Sequence, residues 1–267
     1  MAPPPQPARA LVAAALLAAA SVALIPLHAY PAGLTLLALT ALATATLDPR
    51  ARRDFSLATG AVGLLALTPI NTHIDLPHMA VMGSIIGAAV AAPYAISRYV
   101  FGDHSITFPL HHGRRWYKTE VAYVFVTAAV AYFVLPWYLR VSGSYLNWQV
   151  LPGAPYLTRL FIGTNALGLW DELFFLCTIL ALLRRHLPFW QANLAQAVMW
   201  TAFLYELGFR GFGPGPIFIF ALSQGYIFKR TASVIYIVTI HLTLDFVLYL
   251  ALVHAYYPQW LPVFVIK

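Results

Sequence analysis

The chain has 267 residues, of which 61% are hydrophobic and only 9% charged. Ordinary soluble domains carry roughly a quarter charged residues, so a water-soluble enzyme of this length is excluded. The formal charge of +7 comes from sixteen Lys and Arg spread between apolar runs. That distribution describes orientation in a membrane and not a nucleic-acid footprint. Cys177 is the single cysteine, which excludes a disulfide framework and a thiolate metal cage.

Apolar stretches of bilayer-crossing length predict an all-α, polytopic membrane protein with eight to nine transmembrane helices. In chain order they fall at 9–29, 33–47, 55–70, 77–99, 119–139, 159–183, 190–208, 214–228 and 232–255. The first is read as a helix and not a cleaved leader, because only Arg9 precedes it among four prolines and no clean small-x-small site follows. With the N-terminus cytoplasmic, the inner segments hold twelve Lys and Arg and the outer ones four. The positive-inside bias therefore predicts N-in, C-out across nine spans. No internal repeat interrupts the chain, so 1–267 reads as one membrane domain. The glycine-rich stretch 208–216 lacks the strand and the Lys-Ser/Thr ending of a phosphate loop and reads as an interhelical turn. The aromatic segment 142–155, with Tyr145 and Trp148, is expected to lie along the membrane interface.

A charge at the bilayer centre costs on the order of 2.5 kcal/mol or more, so acids inside spans require a reason. Asp48, Asp54, Asp75 and Asp103 fall in predicted loops, and Glu120 sits at a helix entrance. Asp171, Glu172, Glu206 and Asp245 lie within spans, as does His241. His241 and Asp245 are four residues apart and stack on one helix face. Asp171 and Glu172 are consecutive, so they point about 100° apart. Three helices converging on one polar pocket form an active-site or ion-site constellation.

These residues resemble the CAAX prenyl protease and bacteriocin-processing family of intramembrane peptidases. Members carry Glu-Glu-x-x-x-Arg, then Phe-x-x-x-His, then His-x-x-x-Asn or Asp. The first is similar to Asp171-Glu172-Leu173-Phe174-Phe175-Leu176, the second to Ala202-Phe203-Leu204-Tyr205-Glu206, and the third to His241-Leu242-Thr243-Leu244-Asp245. Ala221 to Ser233 resembles the family's helix end and basic turn before the last motif. The likeness divides the chain into 1–157, which carries spans without motifs, and 158–256, which carries the catalytic-type helices. Asp171 replaces the first Glu, Leu176 the Arg, and Glu206 the His. A rival register, Tyr205-Glu206-Leu207-Gly208-Phe209-Arg210, includes the Arg but leaves no room for the intervening helix.

The resemblance implies hydrolysis of a membrane-bound or lipid-modified peptide by an activated water. Carried over, Asp171 and Glu172 become candidate general bases and Glu206 positions the water. His241 and Asp245 would stabilise the tetrahedral intermediate. An ionised Asp245 cannot donate to an oxyanion as Asn does. Four carboxylates in one low-dielectric pocket also cannot all stay ionised. Either protons are shared, or a divalent cation (Zn, Mn or Fe) binds Glu172, Glu206, His241 and Asp245 and carries the water. The rival expectations are a catalytically inactive scaffold of the same family and a cation- or proton-coupled transporter. The Ala-rich, single-Cys composition points to a bacterial inner membrane, with lipid and the peptide as partners and no nucleic acid.

The remaining histidines suggest no second cofactor. His73, Asp75 and His78 share an outer loop, while His104, His111 and His112 share an inner one. The partner boxes of a di-iron oxygenase are absent, so His111 to Trp116 reads as a cationic, aromatic segment against anionic headgroups. His28, His186 and His254 lie near span ends and are expected to be interfacial.

Overall fold

The computed structural model describes residues 6–110, 113 and 115–265. The descriptions of His111, His112 and Arg114 as headgroup contacts lie outside those residues. Helices follow in the order α1 (Gln6–Leu24), α2 (Tyr30–Ala45), α3 (Pro49–Leu65), α4 (Leu76–Ala95, extended by a π turn Ile96–Val100) and α5 (Lys118–Ser142). After a 3₁₀ turn, Ser144–Asn147, comes α6, which runs as α-helix over Ala154–Asp171, as π-helix over Glu172–Leu180 and again as α-helix over Ala181–Leu183. Then follow α7 (Phe189–Glu206), α8 (Pro214–Thr231) and α9 (Val234–Tyr256). No strand occurs among the described residues.

Five of these helices are long and apolar enough to cross a membrane: Pro7–Leu24, Leu76–Val100, Lys118–Ser142, Ala154–Leu183 and Val234–Tyr256. The shortfall from nine has local causes. Helix α2 is apolar but short. Helix α3 starts six residues earlier than expected, because Asp48 caps it by accepting from Arg50 N and Ala51 N and Pro49 occupies its first turn. That start takes Arg50, Arg52, Arg53 and Asp54 into the helix. Helices α7 and α8 carry Asn193, Gln196 and Gln224, all buried.

Inter-loop hydrogen bonds sort the connections onto two ends of an alternating bundle. At one end Thr72 Oγ1 donates to Asn147 O, and Asn147 Nδ2 donates to Gly208 O at 3.0 Å. Tyr138 donates to Arg210 O at 2.8 Å, and Tyr256 to Trp148 O at 2.9 Å, at the same end. At the other, Arg185 bridges Asp54 on α3 and Asp103 in the 101–117 connection, and Val234 N donates to Pro109 O. The hydrogen bond from Arg185 holds the Asp103 carboxyl below its ordinary pKa. This second end carries most of the Arg and Lys side chains.

Several loop residues depart from expectation by being folded inward. Trp148 is 5% exposed and packs edge-on against Phe209, so the 142–155 segment caps the bundle and does not lie flat along an interface. His186 is drawn onto Asp54 at 2.6 Å, and His254 is buried with Nδ1 2.8 Å from Leu261 O. The principal core joins both halves of the chain, from Ala10, Leu17 and Phe55 through Phe174, Phe175 and Trp200 to Ile237. Helix α6 is the most buried of the candidate spans and the axis on which the site is built.

Candidate active site

The two consecutive acids sit where α6 changes register. Asp171 ends its α-helical part and Glu172 opens the π stretch, a local widening that recurs at functional sites. Below them Trp170, Phe174 and Phe175 interlock, with Trp170 stacked on Phe174 at 4.7 Å and Phe175 stacked on Trp200 at 5.2 Å. Trp170 Nε1 donates to Ile86 O at 2.7 Å, tying α6 to α4. The aromatic run after the acids is therefore packing that fixes their direction.

Helix α9 supplies the complement. His241 and Asp245, one turn apart, face α6 at mid-length. His241 Nδ1 lies 2.9 Å from Glu172 Oε1. Its Nε2 lies 3.8 Å from Asp171 Oδ2 and 3.8 Å from Asp245 Oδ1. Relative exposure is 1% for Asp171, 0% for Glu172, 5% for His241 and 8% for Asp245, so the cluster is almost wholly withdrawn from bulk solvent. Gly168, one turn before Asp171, makes the approach possible. A Cβ there would collide with Asp245 Oδ2 and come 3.1 Å from His241 Cδ2.

Two further side chains complete the setting, and neither stood out in the sequence. Gln224 on α8 donates from Nε2 to Glu172 Oε1 at 3.2 Å. Trp200 on α7, fully buried, lies over the imidazole with ring centroids 5.7 Å apart. A neutral amide in an apolar run was a usable signal for Gln224. An indole among apolar residues offers no such contrast.

The arrangement leaves polar capacity unused. Glu172 Oε2, Gln224 Oε1 and Asp245 Oδ2 are buried without a hydrogen-bond partner among the described residues, while Trp200 turns its indole N–H to the Asp171 carboxyl. A buried polar atom left unpaired costs about 1–3 kcal/mol, and native structures hold few of them. Of the three residues, Asp245 faces the cavity, where a water or a polar atom of a ligand can complete its bonding. Asp171, His241 and Asp245 line a cavity of about 430 Å³ whose other walls are apolar, from Val126, Val130 and Trp137 on α5 to Leu204 on α7 and Phe220 on α8. Glu172 and Gln224 stand behind the imidazole, away from that cavity.

Glu206 does not join this group. It ends α7, where Oε1 lies 3.2 Å from His28 Nε2 and 3.9 Å from Arg210 Nη2. It lies six residues beyond Trp200, about 9 Å along the helix axis, and the contribution of α7 to the cluster is the indole. Of the four residues expected to hold a cation, Glu172, His241 and Asp245 lie together and Glu206 does not. Glu172 meets Nδ1 while Asp245 faces Nε2, on opposite edges of one ring. Among the described residues no group of three or more His, Cys, Asp or Glu is arranged to hold a metal ion.

Comparison with known proteins bears on the same stretch. Residues 153–247 match the family model described as Type II CAAX prenyl endopeptidase Rce1-like. That segment, which contains α6 through the His241 and Asp245 turn of α9, is similar to a protease family. It carries the resemblance to the CAAX prenyl protease and bacteriocin-processing peptidases. No curated protein and no solved structure shows significant similarity to the chain.

Proposed function

We propose, proceeding from the Rce1-like stretch 153–247, that this chain is an intramembrane endopeptidase of the CAAX type. It hydrolyses a membrane-held or lipid-modified peptide with a water activated by side chains. The observation that carries the reading is the meeting of Asp171, His241 and Asp245, with Asp245 Oδ2 unpartnered among the described residues, at one wall of a largely apolar 430 Å³ cavity. Such a cavity admits a greasy segment, and the corner formed by Asp171, His241 and Asp245 supplies groups able to handle a proton and an oxyanion.

The roles follow from which groups face the cavity. Asp171 takes a proton from the water as its oxygen attacks the peptide carbonyl, and returns that proton to the amide nitrogen as the C–N bond breaks and the amine leaves. His241, held at Nδ1 by Glu172, presents Nε2–H to the developing oxyanion, and Asp245 in its protonated form adds a second donor. Glu172 and Gln224 act through the imidazole and are positioning residues. The donor geometry does not fit the divalent ion considered above, so no step is routed through one. The chain would lie in a bacterial inner membrane with its arginine-rich end cytoplasmic.

The test is cleavage of a membrane-anchored peptide library, prenylated and unprenylated, by protein reconstituted in lipid vesicles. Asp171→Asn and His241→Ala are each expected to reduce the rate by about 10²-fold or more. Glu206→Gln should leave it within about threefold, since Glu206 sits outside the cluster. Cleavage unchanged in both of the first two variants overturns the site. Absence of cleavage in the wild type with every peptide overturns the peptidase reading and favours the scaffold.

A further inference from the structure

A peptide that fills an apolar cavity leaves no route for water along its own path, yet each hydrolysis consumes one water molecule. A second, smaller cavity of about 110 Å³ lies between α4, α6 and the capping loops, lined in part by Asn71, His78, Met82 and Gly163. Trp148, Thr164 and Leu167 line both cavities. The small one is lined by Asn71, Thr72, His73, His78 and Thr164 among apolar residues, and His78 Nε2 is buried with no partner among the described residues. It therefore has the volume for about three waters at ~30 Å³ each and the polar atoms to hold them.

Helix α6 continues the line inward. Thr164, Gly168 and Asp171 follow at spacings of four and three, which places them on one face, and all three line the main cavity. Asn71, Thr72 and His73 open the small cavity toward the capping loops. The polar path runs from those loops past His78, then past the edge of Trp148, then down Thr164 to the acids. Trp148 is held against Phe209 at 5.8 Å and has Gly208 beneath it, where a Cβ would come within 3.0 Å of its Nε1. It stands as the partition between the two chambers.

We propose that the small cavity is a hydrated antechamber that supplies the hydrolytic water to Asp171, separate from the chamber that holds the peptide. The proposal rests on the peptidase reading for its purpose but not for its detection. Gly163→Cys and Met82→Cys, introduced singly on the facing helices α6 and α4, are expected to react with a charged, water-soluble thiosulfonate added to protein in vesicles. Wild-type protein, whose Cys177 is buried, sets the background. Leu169→Cys, on the lipid-facing side of α6 at 42% exposure, is the apolar control. A thiol reacts as thiolate and needs water to ionise, so labelling at 82 and 163 should exceed that at 169 by about tenfold. Adding Gly163→Phe to Met82→Cys should abolish the labelling. Gly163→Phe alone should lower kcat about tenfold with KM unchanged.

Equal, background-level reaction at 82, 163 and 169 overturns the antechamber. Labelling that persists while Gly163→Phe leaves kcat untouched overturns its supply of the reaction. If the wild type cleaves no peptide, the peptidase reading falls and the labelling pattern still decides whether the chamber is wet.

Discussion

His241 is the side chain on which the site turns, because its two nitrogens serve different masters. Glu172 at 2.9 Å claims Nδ1, which leaves Nε2 directed between Asp171 and Asp245. The imidazole can reach that position only because Gly168 lacks a Cβ. Gly168→Ala would drive a methyl group into Asp245 and His241. We expect it to cut the cleavage rate by at least about tenfold while helix content by circular dichroism stays at the wild-type level. The four clustered ionisable residues were legible in the sequence, since a charge amid apolar residues stands out against the cost of burying it. Glu206 carried the same contrast but ends α7 outside the cluster. Its partner His28 comes from a turn where His28 adopts φ 48, a pairing across 178 positions that no local pattern encodes. Trp200 was invisible for the opposite reason, being one more aromatic in a run that packs.

At the scale of helices, α7 and α8 are locked by amides. Asn193 Nδ2 donates to Leu222 O at 2.9 Å, and Gln196 Nε2 donates to Ala221 O at 3.1 Å and Asn193 Oδ1 at 2.9 Å. Gly225 admits the Asn193 carboxamide, with which a Cβ would collide. Gly225→Ala should destabilise the protein by about 1–3 kcal/mol, read as a lower Tm in detergent, because the amides lose their bonds as the helices part. That lock also presents Gln224 to Glu172, so the same variant should slow cleavage. Helix boundaries were read from hydropathy to within a few residues for most elements. The exception, α3, starts early because its cap and proline outweigh the charges that hydropathy treats as a loop.

Across the whole molecule, the two ends differ in chemistry. One is capped by aromatic loops stitched to each other, and the other holds the Arg185 bridges to Asp54 and Asp103. Depression of the Asp103 carboxyl pKa by Arg185 makes that contact a stabiliser above the ordinary carboxylate pKa of about 3.9. Its contribution is lost as pH falls through the lowered value, so thermal unfolding of Asp103→Asn should be indistinguishable from wild type only in strong acid. Orientation is testable apart from activity. In intact cells Leu146→Cys, on the aromatic end, should take an impermeant thiol label, and Thr107→Cys should take it only after the membrane is opened. The reverse pattern would invert the topology. The all-helical, membrane-type build was legible from hydropathy, whereas the folding of the 142–155 segment over one end was not, because aromatic residues suit a lipid interface and a buried cap equally well.

The π stretch Glu172–Leu180 carries a lesson about what drift this chain can tolerate. A π segment holds a surplus residue relative to a regular helix. Deleting one position between 173 and 180 would let that stretch relax to ordinary pitch and turn the acids at its start relative to α9. The acids would then look into the aromatic packing instead of the chamber, with composition and hydropathy almost unaltered. Lineages that lost that single codon would keep a membrane protein of the same outline and forfeit its chemistry.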